Sequence, residues 1–216
     1  VLQRDDATVE WVTLLNDTHQ PQRALDVLLR RRFHPWEGGE GKVLRQYTRA
    51  RLLLGEAAMK EDAPDRALEH FDRAFDTPAN LGEAYHLLQA KADVNYWRGR
   101  ALRALGREEE AREAFHAAAE EAGDFQQMAV TEHSELSYYR ALALSALGRA
   151  REARQLLEDI RDFARRKQAA PAKIDYFATS LPNLLVLEDD LEAAKNAEAA
   201  ALLKQVAAGL PEETPA

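Results

Sequence analysis

Small and aromatic positions recur along this chain at a fixed spacing, and the recurrence predicts its elements. Gly55, Ala67, Phe71 and Ala74 are separated by 12, 4 and 3 positions, and Gly99, Ala111, Phe115 and Ala118 repeat those offsets. Ala141, Ala153, Leu157 and Ile160 keep the frame with altered residues. Such a pattern predicts stacked helix pairs, in which small residues let two helices approach and the larger side chain fills the gap. A weaker copy places Trp11, Val12 and Leu15 on a first helix and Ala24 and Leu28 on a second, and a decayed one carries Leu185, Ala194 and Ala201. The marker alanines Ala24, Ala67, Ala111, Ala153 and Ala194 advance in steps of 43, 44, 42 and 41.

Two turns add to the frame. Ala104-Leu105-Gly106-Arg107 and Ala146-Leu147-Gly148-Arg149 fall between the helices of successive pairs, where glycine suits a left-handed position just past a helix end. Taken with the small, small, aromatic, small frame, these residues resemble the tetratricopeptide repeat. The usual repeat is about 34 residues long, so the surplus here implies lengthened helices together with an inserted loop between units. Most units also lack the family's first-helix aromatic. Gly39-Glu40 and Gly82-Glu83 are 43 positions apart and each follows a proline, Pro35 or Pro78, so the inserted loop belongs to the repeat. The resemblance implies an all-α fold, a right-handed superhelix of about five helix pairs over residues 1–208 with an enlarged repeat of about 41–44 residues.

Composition agrees with a helical globular chain: 46% of the 216 residues are hydrophobic, 31% are charged, and glycine and proline are sparse. The net charge of −8 argues against nucleic acid and anionic membrane surfaces as partners. The basic clusters Arg30-Arg31-Arg32 and Arg165-Arg166-Lys167 fall near the ends of second helices, where cations offset the helix dipole. Cysteine is absent, which removes disulfides and thiol chemistry and fits a reducing, cytoplasmic setting. No apolar stretch reaches the length of a membrane span. The start at Val1 reads as a cut edge, so the chain is expected to be excised from a longer protein.

One stretch is not explained by repeat packing. Phe33-His34-Pro35-Trp36-Glu37-Gly38-Gly39-Glu40-Gly41-Lys42 concentrates glycine, which is kept for unusual dihedrals or close backbone approach, beside side chains that stack or hydrogen-bond against ligands. His34, Trp36, Glu37, Gly38, Gly39, Glu40, Gly41 and Lys42 are therefore candidate contacts. The competing reading makes the glycines the turn that starts the next helix, with Trp36 plugging a gap between units. A phosphate-binding loop is disfavoured, because Gly41-Lys42 is followed by Val43 rather than Ser or Thr.

The sequence Phe-His-Pro-Trp-Glu-Gly-Gly-Glu-Gly-Lys-Val, with Pro78-Ala79-Asn80-Leu81-Gly82-Glu83 and Tyr96-Trp97-Arg98-Gly99, is also similar to the C-terminal repeat region of bacterial proteins bearing domain of unknown function 5107. That resemblance spans roughly residues 5–205. It implies a place beside a β-sandwich-type domain similar to carbohydrate-active enzymes, and with it a carbohydrate as a possible occupant of the loop.

Catalytic constellations are thin. The six histidines show no His-Glu-x-x-His spacing, so no metal site is expected, and His70 and His116 simply flank packing aromatics. Asp189-Asp190 and Glu132 with Glu135 could in principle act as paired acids, but such pairs are common on charged helices. No catalytic residue or cofactor is assigned. The tetratricopeptide resemblance places first-helix positions on a concave face: Arg49, Leu52, Glu56 and Met59; Asp93, Tyr96, Arg100 and Arg103; Glu135, Tyr138, Leu142 and Ser145. Such a groove suits an acidic or extended peptide, or a sugar stacked on an aromatic. The alternative is that Tyr96, Trp97, Tyr138 and Tyr139 only pack between repeats.

After Ile174 the frame decays and Pro182 interrupts a first helix, so residues Ala193 to Ala208 read as a cap, with Gly209-Leu210-Pro211 as its stop and 209–216 as a disordered tail. The function expected from all this is a non-catalytic module that docks or oligomerises a carbohydrate-active domain of the same longer protein. Its partners are then that N-terminal domain, a second copy or a peptide segment. A free-standing peptide adaptor is the alternative, and part of a composite glycoside-processing site built with the loop is the third.

Overall fold

The computed structural model describes residues 4–36, 38–87, 89–121, 123–126, 129–172 and 191–209. Among them lie nine α-helices: α1 (Asp5–Asp17), α2 (Pro21–Arg30), α3 (Lys42–Lys60), α4 (Pro64–Arg73), α5 (Ala92–Ala104), α6 (Glu108–Glu120), α7 (Glu135–Ala146), α8 (Ala150–Ala169) and α9 (Leu191–Gly209). Among the described residues the protein is all-α apart from a short 3-10 turn, Ala79–Leu81, and an antiparallel ribbon of β1 (Asp124–Gln126) and β2 (Ala129–Thr131), with Phe125 opposite Val130. The ribbon occupies the connection between α6 and α7. Its sequence exchanges the helix formers on either side for Phe, Val and Thr, which favour extended backbone.

The strongest regularity is the turn that joins α1 to α2, α3 to α4, α5 to α6 and α7 to α8. Each has one residue with left-handed backbone: His19 (φ 55), Asp62 (φ 55), Gly106 (φ 73) and Gly148 (φ 78). The amide of that residue bonds a carbonyl three back, as in His19 N to Asn16 O at 3.1 Å and Gly148 N to Ser145 O at 3.0 Å. The next amide reaches five back in all four turns: Gln20 to Leu15, Ala63 to Ala58, Arg107 to Leu102 and Arg149 to Leu144, at 2.8–2.9 Å. This is the Schellman motif, which satisfies carbonyls that a helix end would otherwise orphan. The marker alanines Ala24, Ala67, Ala111 and Ala153 then donate their amides to the residue four before, which starts the second helix. Pro21 and Pro64 open α2 and α4 at positions where a missing N–H costs nothing.

The chain folds as two compact units, one of residues 1–87 and 97–111, the other of 88–96 and 112–216. In the first, Val9, Val12, Leu15, Ala24, Leu25, Leu28, Phe33, Val43, Leu44, Tyr47, Ala50 and Leu81 form one buried cluster under α1, α2 and α3. Gly55 and Phe71 meet as the spacing predicts: a Cβ on Gly55 would lie 2.2 Å from the fully buried Phe71 ring. Burying a phenylalanine of this kind contributes roughly 2–3 kcal/mol, so the absent methyl on α3 is what lets α4 seat its aromatic. Phe71 also stacks on Trp97 with centroids 6.1 Å apart.

In the second unit α7, α8 and α9 pack together through Ala141, Leu157, Ile160, Ala164, Leu202 and Val206. Ser134 caps α7, accepting from Leu136 N while its own amide donates to Ser137 Oγ, both at 3.1 Å. At the other end of the α8 connection, the Lys195 ammonium on α9 donates to the Gln168 and Ala170 carbonyls and so closes the C-terminal end of α8. Gly209 is the last residue of α9, where a Cβ would lie 3.1 Å from Leu157 and Tyr138. The expected helix break at Pro182 and the tail 210–216 lie outside the described residues.

Candidate functional site

The two inserted loops come together in the first unit. After α2 the chain runs extended to Phe33, which is 2% exposed and belongs to the core, and the Phe33 amide donates to Asn80 O at 2.7 Å. The Asn80 side chain donates in return to the Leu28 and Arg31 carbonyls, at 2.9 and 2.7 Å. One residue of the second loop thus serves the C-terminal end of α2. Gly82, at φ 71, lies so close that a Cβ would sit 2.8 Å from the Phe33 carbonyl oxygen.

Glu83 continues the interlock. Its carboxylate accepts from Gly41 N at 3.1 Å and from Leu44 N at 2.9 Å. Gly41 is the N-cap of α3 and has no side chain to offer, so an acid some forty positions further along does the capping, with the favourable charge for a helix start. Burial pushes the Glu83 carboxyl above its ordinary range; the Leu44 and Gly41 amides pull it down and the nearby Glu40 pushes it up again. The same device recurs in the second unit, where Glu121 after α6 accepts from Lys91 N at 2.6 Å at the head of α5.

The glycine cluster has a structural role. Gly38 and Gly41 take left-handed backbone, Gly39 N donates to Trp36 O and Lys42 N donates to Gly39 O, each at 3.0 Å. Trp36 packs partly buried against the core cluster, and its ring comes so near Gly39 that a Cβ there would be 2.0 Å from it. What remains open is a cleft of about 460 Å³ lined by Pro35, Trp36, Glu40, Gly41, Glu83 and Ala84. Glu40 and Lys42 are exposed, and Glu37 lies outside the described residues. His34 is turned to solvent; its amide donates to Asp5 Oδ2 at 2.9 Å and its Nδ1 lies 3.5 Å from the same oxygen. Arg31 Nε holds Asp5 Oδ1 at 2.8 Å. Burial opposes ionisation of Asp5, but the His34 amide and Arg31 outweigh it and hold the carboxyl below its usual value.

The predicted groove residues divide between the units. Arg49, Arg100 and Arg103 belong to the first. Arg49 pairs with Asp17 at 2.7 Å, Arg103 lies 3.6 Å from Glu108, and the exposed Arg100 places its guanidinium 5.4 Å from the Trp97 ring centroid. Leu52 is buried; Glu56 and Met59 are half-buried, and burial pushes the Glu56 carboxyl up against the pull of Lys60. Asp93, Tyr96, Glu135 and Tyr138 belong to the second unit. Tyr96 is only 7% exposed and packs on Phe115 and Tyr139 at 6.0 and 5.9 Å, while Tyr138 meets Tyr139 edge to face at 5.7 Å. These tyrosines serve as packing. Asp93 is half-buried as a residue, but burial pushes its carboxyl up to about 7, with the Val94 amide opposing and Glu135 and Glu121 adding to the rise.

Among the described residues no group of three or more His, Asp or Glu could hold a metal ion, and no helix is long and apolar enough to cross a membrane. Sequence reasoning marked Gly82-Glu83 as a loop copy without seeing that Glu83 reaches back to α3; it read Arg31 only as a cation offsetting a helix dipole, and it passed over Asp5, which Arg31 holds. The 43-residue echo of Glu40 was the available signal for Glu83; nothing in the sequence marks Asp5. No family model matches the chain, and no solved structure matches it significantly.

Proposed function

We propose that this chain is a non-catalytic interaction module, built as a right-handed superhelix of tetratricopeptide-like helix pairs, that binds protein through the cleft between its two inserted loops. The observation carrying this reading is the interlock itself: Asn80, Gly82 and Glu83 tie both loops to the ends of α2 and α3. A surface held by helix caps is preorganised, so a partner need not be charged the entropy of ordering it. Trp36 and Glu40 at its rim supply an aromatic face and an exposed carboxylate, the kinds of group that anchor protein contacts.

The resemblance to repeat regions that follow a carbohydrate-active domain makes that domain, in the same longer protein, the first partner to test. Trp36→Ala in the full-length protein should lower glycoside-processing activity while leaving the helical circular-dichroism signal intact. Unchanged activity with a folded variant would reject docking through this cleft. The adaptor reading draws on Arg100, exposed and stacked on Trp97; it requires that Arg100→Glu abolish capture of an acidic peptide while Trp36→Ala leaves capture unaffected.

A further inference from the structure

Arg51 lies in the middle of α3, and only 8% of it reaches solvent. Among the described residues no carboxylate pairs with it. Its Nε donates to Tyr47 Oη at 3.2 Å, its guanidinium carbon sits 5.2 Å from the Tyr47 ring centroid, and Nη1 is 3.4 Å from His70 Nδ1. Tyr47 Oη in turn donates to the Arg73 carbonyl, at 3.1 Å, on the last residue of α4. Tyr47 and His70 are thus the side chains that meet this guanidinium, while Nη2 has no acceptor among the described residues and is not sealed from solvent.

A guanidinium cannot escape burial by losing its proton, and an uncompensated buried ion is costly to a fold. The charges around it do not relieve the imbalance. Arg66 is already engaged by Glu61 at 2.6 Å and Arg73 by Glu69 at 2.9 Å. His70 is half-buried beside Arg51 and its ring is held below the ordinary histidine pKa, by burial first and then by Arg51, Arg73 and Arg66, with Glu69 pulling the other way. Of these three cations Arg51 is thus the one with no paired acid among the described residues, in a protein whose net charge is −8.

We propose that Arg51 and His70 form a phosphate-binding site, with the anion meeting the unfilled Nη2 edge of Arg51 and the His70 ring where that ring reaches the surface. A phosphate has more oxygens than a carboxylate, so it can accept at once from Nη2 of Arg51 and from the Nε2–H that His70 carries while its Nδ1 accepts from Arg51 Nη1. The site lies on α3 and α4, apart from the residues lining the loop cleft, so it stands whether or not that cleft binds protein.

The test is a titration of the whole chain with inorganic phosphate at constant ionic strength, following the histidine ring signals by NMR. The proposal expects a saturable shift of His70 and a raised His70 pKa, with His19, His34, His86 and His116 unmoved. Arg51→Met should weaken the apparent affinity at least about tenfold, the usual consequence of removing a charge-assisted hydrogen bond. His70→Gln, at a half-exposed position, is the second variant should Arg51→Met not fold; it should cut the phosphate-induced rise in Tm. A His70 signal that stays put, or a response that survives both variants, overturns the proposal. Acetate acting as well as phosphate overturns the choice of anion. A phosphoserine peptide saturating at lower concentration than inorganic phosphate assigns the group to a protein segment; equal saturation assigns it to a small phosphorylated molecule.

Discussion

Asp93 gives the sharpest pH prediction. Its carboxyl rises from 3.8 to about 7 because burial disfavours the charged form and Glu135 and Glu121 lie near. The native state therefore holds this proton more tightly than the unfolded chain does. Stability from this group is complete below pH 3.8, declines as the pH climbs through the interval, and is exhausted above about 7. The full shift corresponds to about 4 kcal/mol, of which about 2 kcal/mol falls between pH 5 and 7. Asp93→Asn removes the charge while keeping an Oδ1 that can accept from Val94 N, the bond seen at 2.7 Å. The assay is urea denaturation of wild type and variant across pH 5 to 8. His70 and His133, both held below the ordinary histidine value chiefly by burial, are common to both proteins, so the difference isolates Asp93. The variant should be the more stable at pH 8, and the gap should close toward pH 5. Parallel profiles for the two proteins would refute the argument.

Two further predictions address the repeat. Gly55→Ala would ordinarily gain helix propensity of about 1 kcal/mol, but its Cβ would fall 2.2 Å from Phe71, so it should destabilise by about 1–3 kcal/mol; the loss should shrink in a Phe71→Leu background, and a stabilised Gly55→Ala would disprove the packing account. His19 holds φ 55 where the third and fourth turns have glycine, so His19→Gly should stabilise by about 0.5–1 kcal/mol in chemical denaturation, and a clear loss would show that His19 makes a contact worth more than its strain.

Much of the fold was legible because it is local. A Schellman turn is set by bonds spanning five residues or fewer, so Gly106 and Gly148 announced it; His19 and Asp62 did not, because residues that only tolerate the left-handed region leave no mark in composition. The Gly55 and Phe71 contact was legible too, since the 3.6-residue period fixes which positions two joined helices turn toward each other. The loop was visible as an anomaly, but its chemistry was divided only by the structure. Gly39 is required by Trp36, and Glu83 by α3, whereas the open cleft is what the interlock leaves over.

The sequence by itself determined the helical class, the two glycine turns and the position of the inserted loops, all products of hydrogen bonds and side-chain periodicity within one pair of helices. Tertiary structure alone decided that Tyr96 packs rather than lines a groove, that Asp93 keeps its proton near neutrality, and that Arg51 is buried without an acid. Desolvation and electric field sum over neighbours brought together from distant parts of the chain, and no short-range pattern records which neighbours those will be.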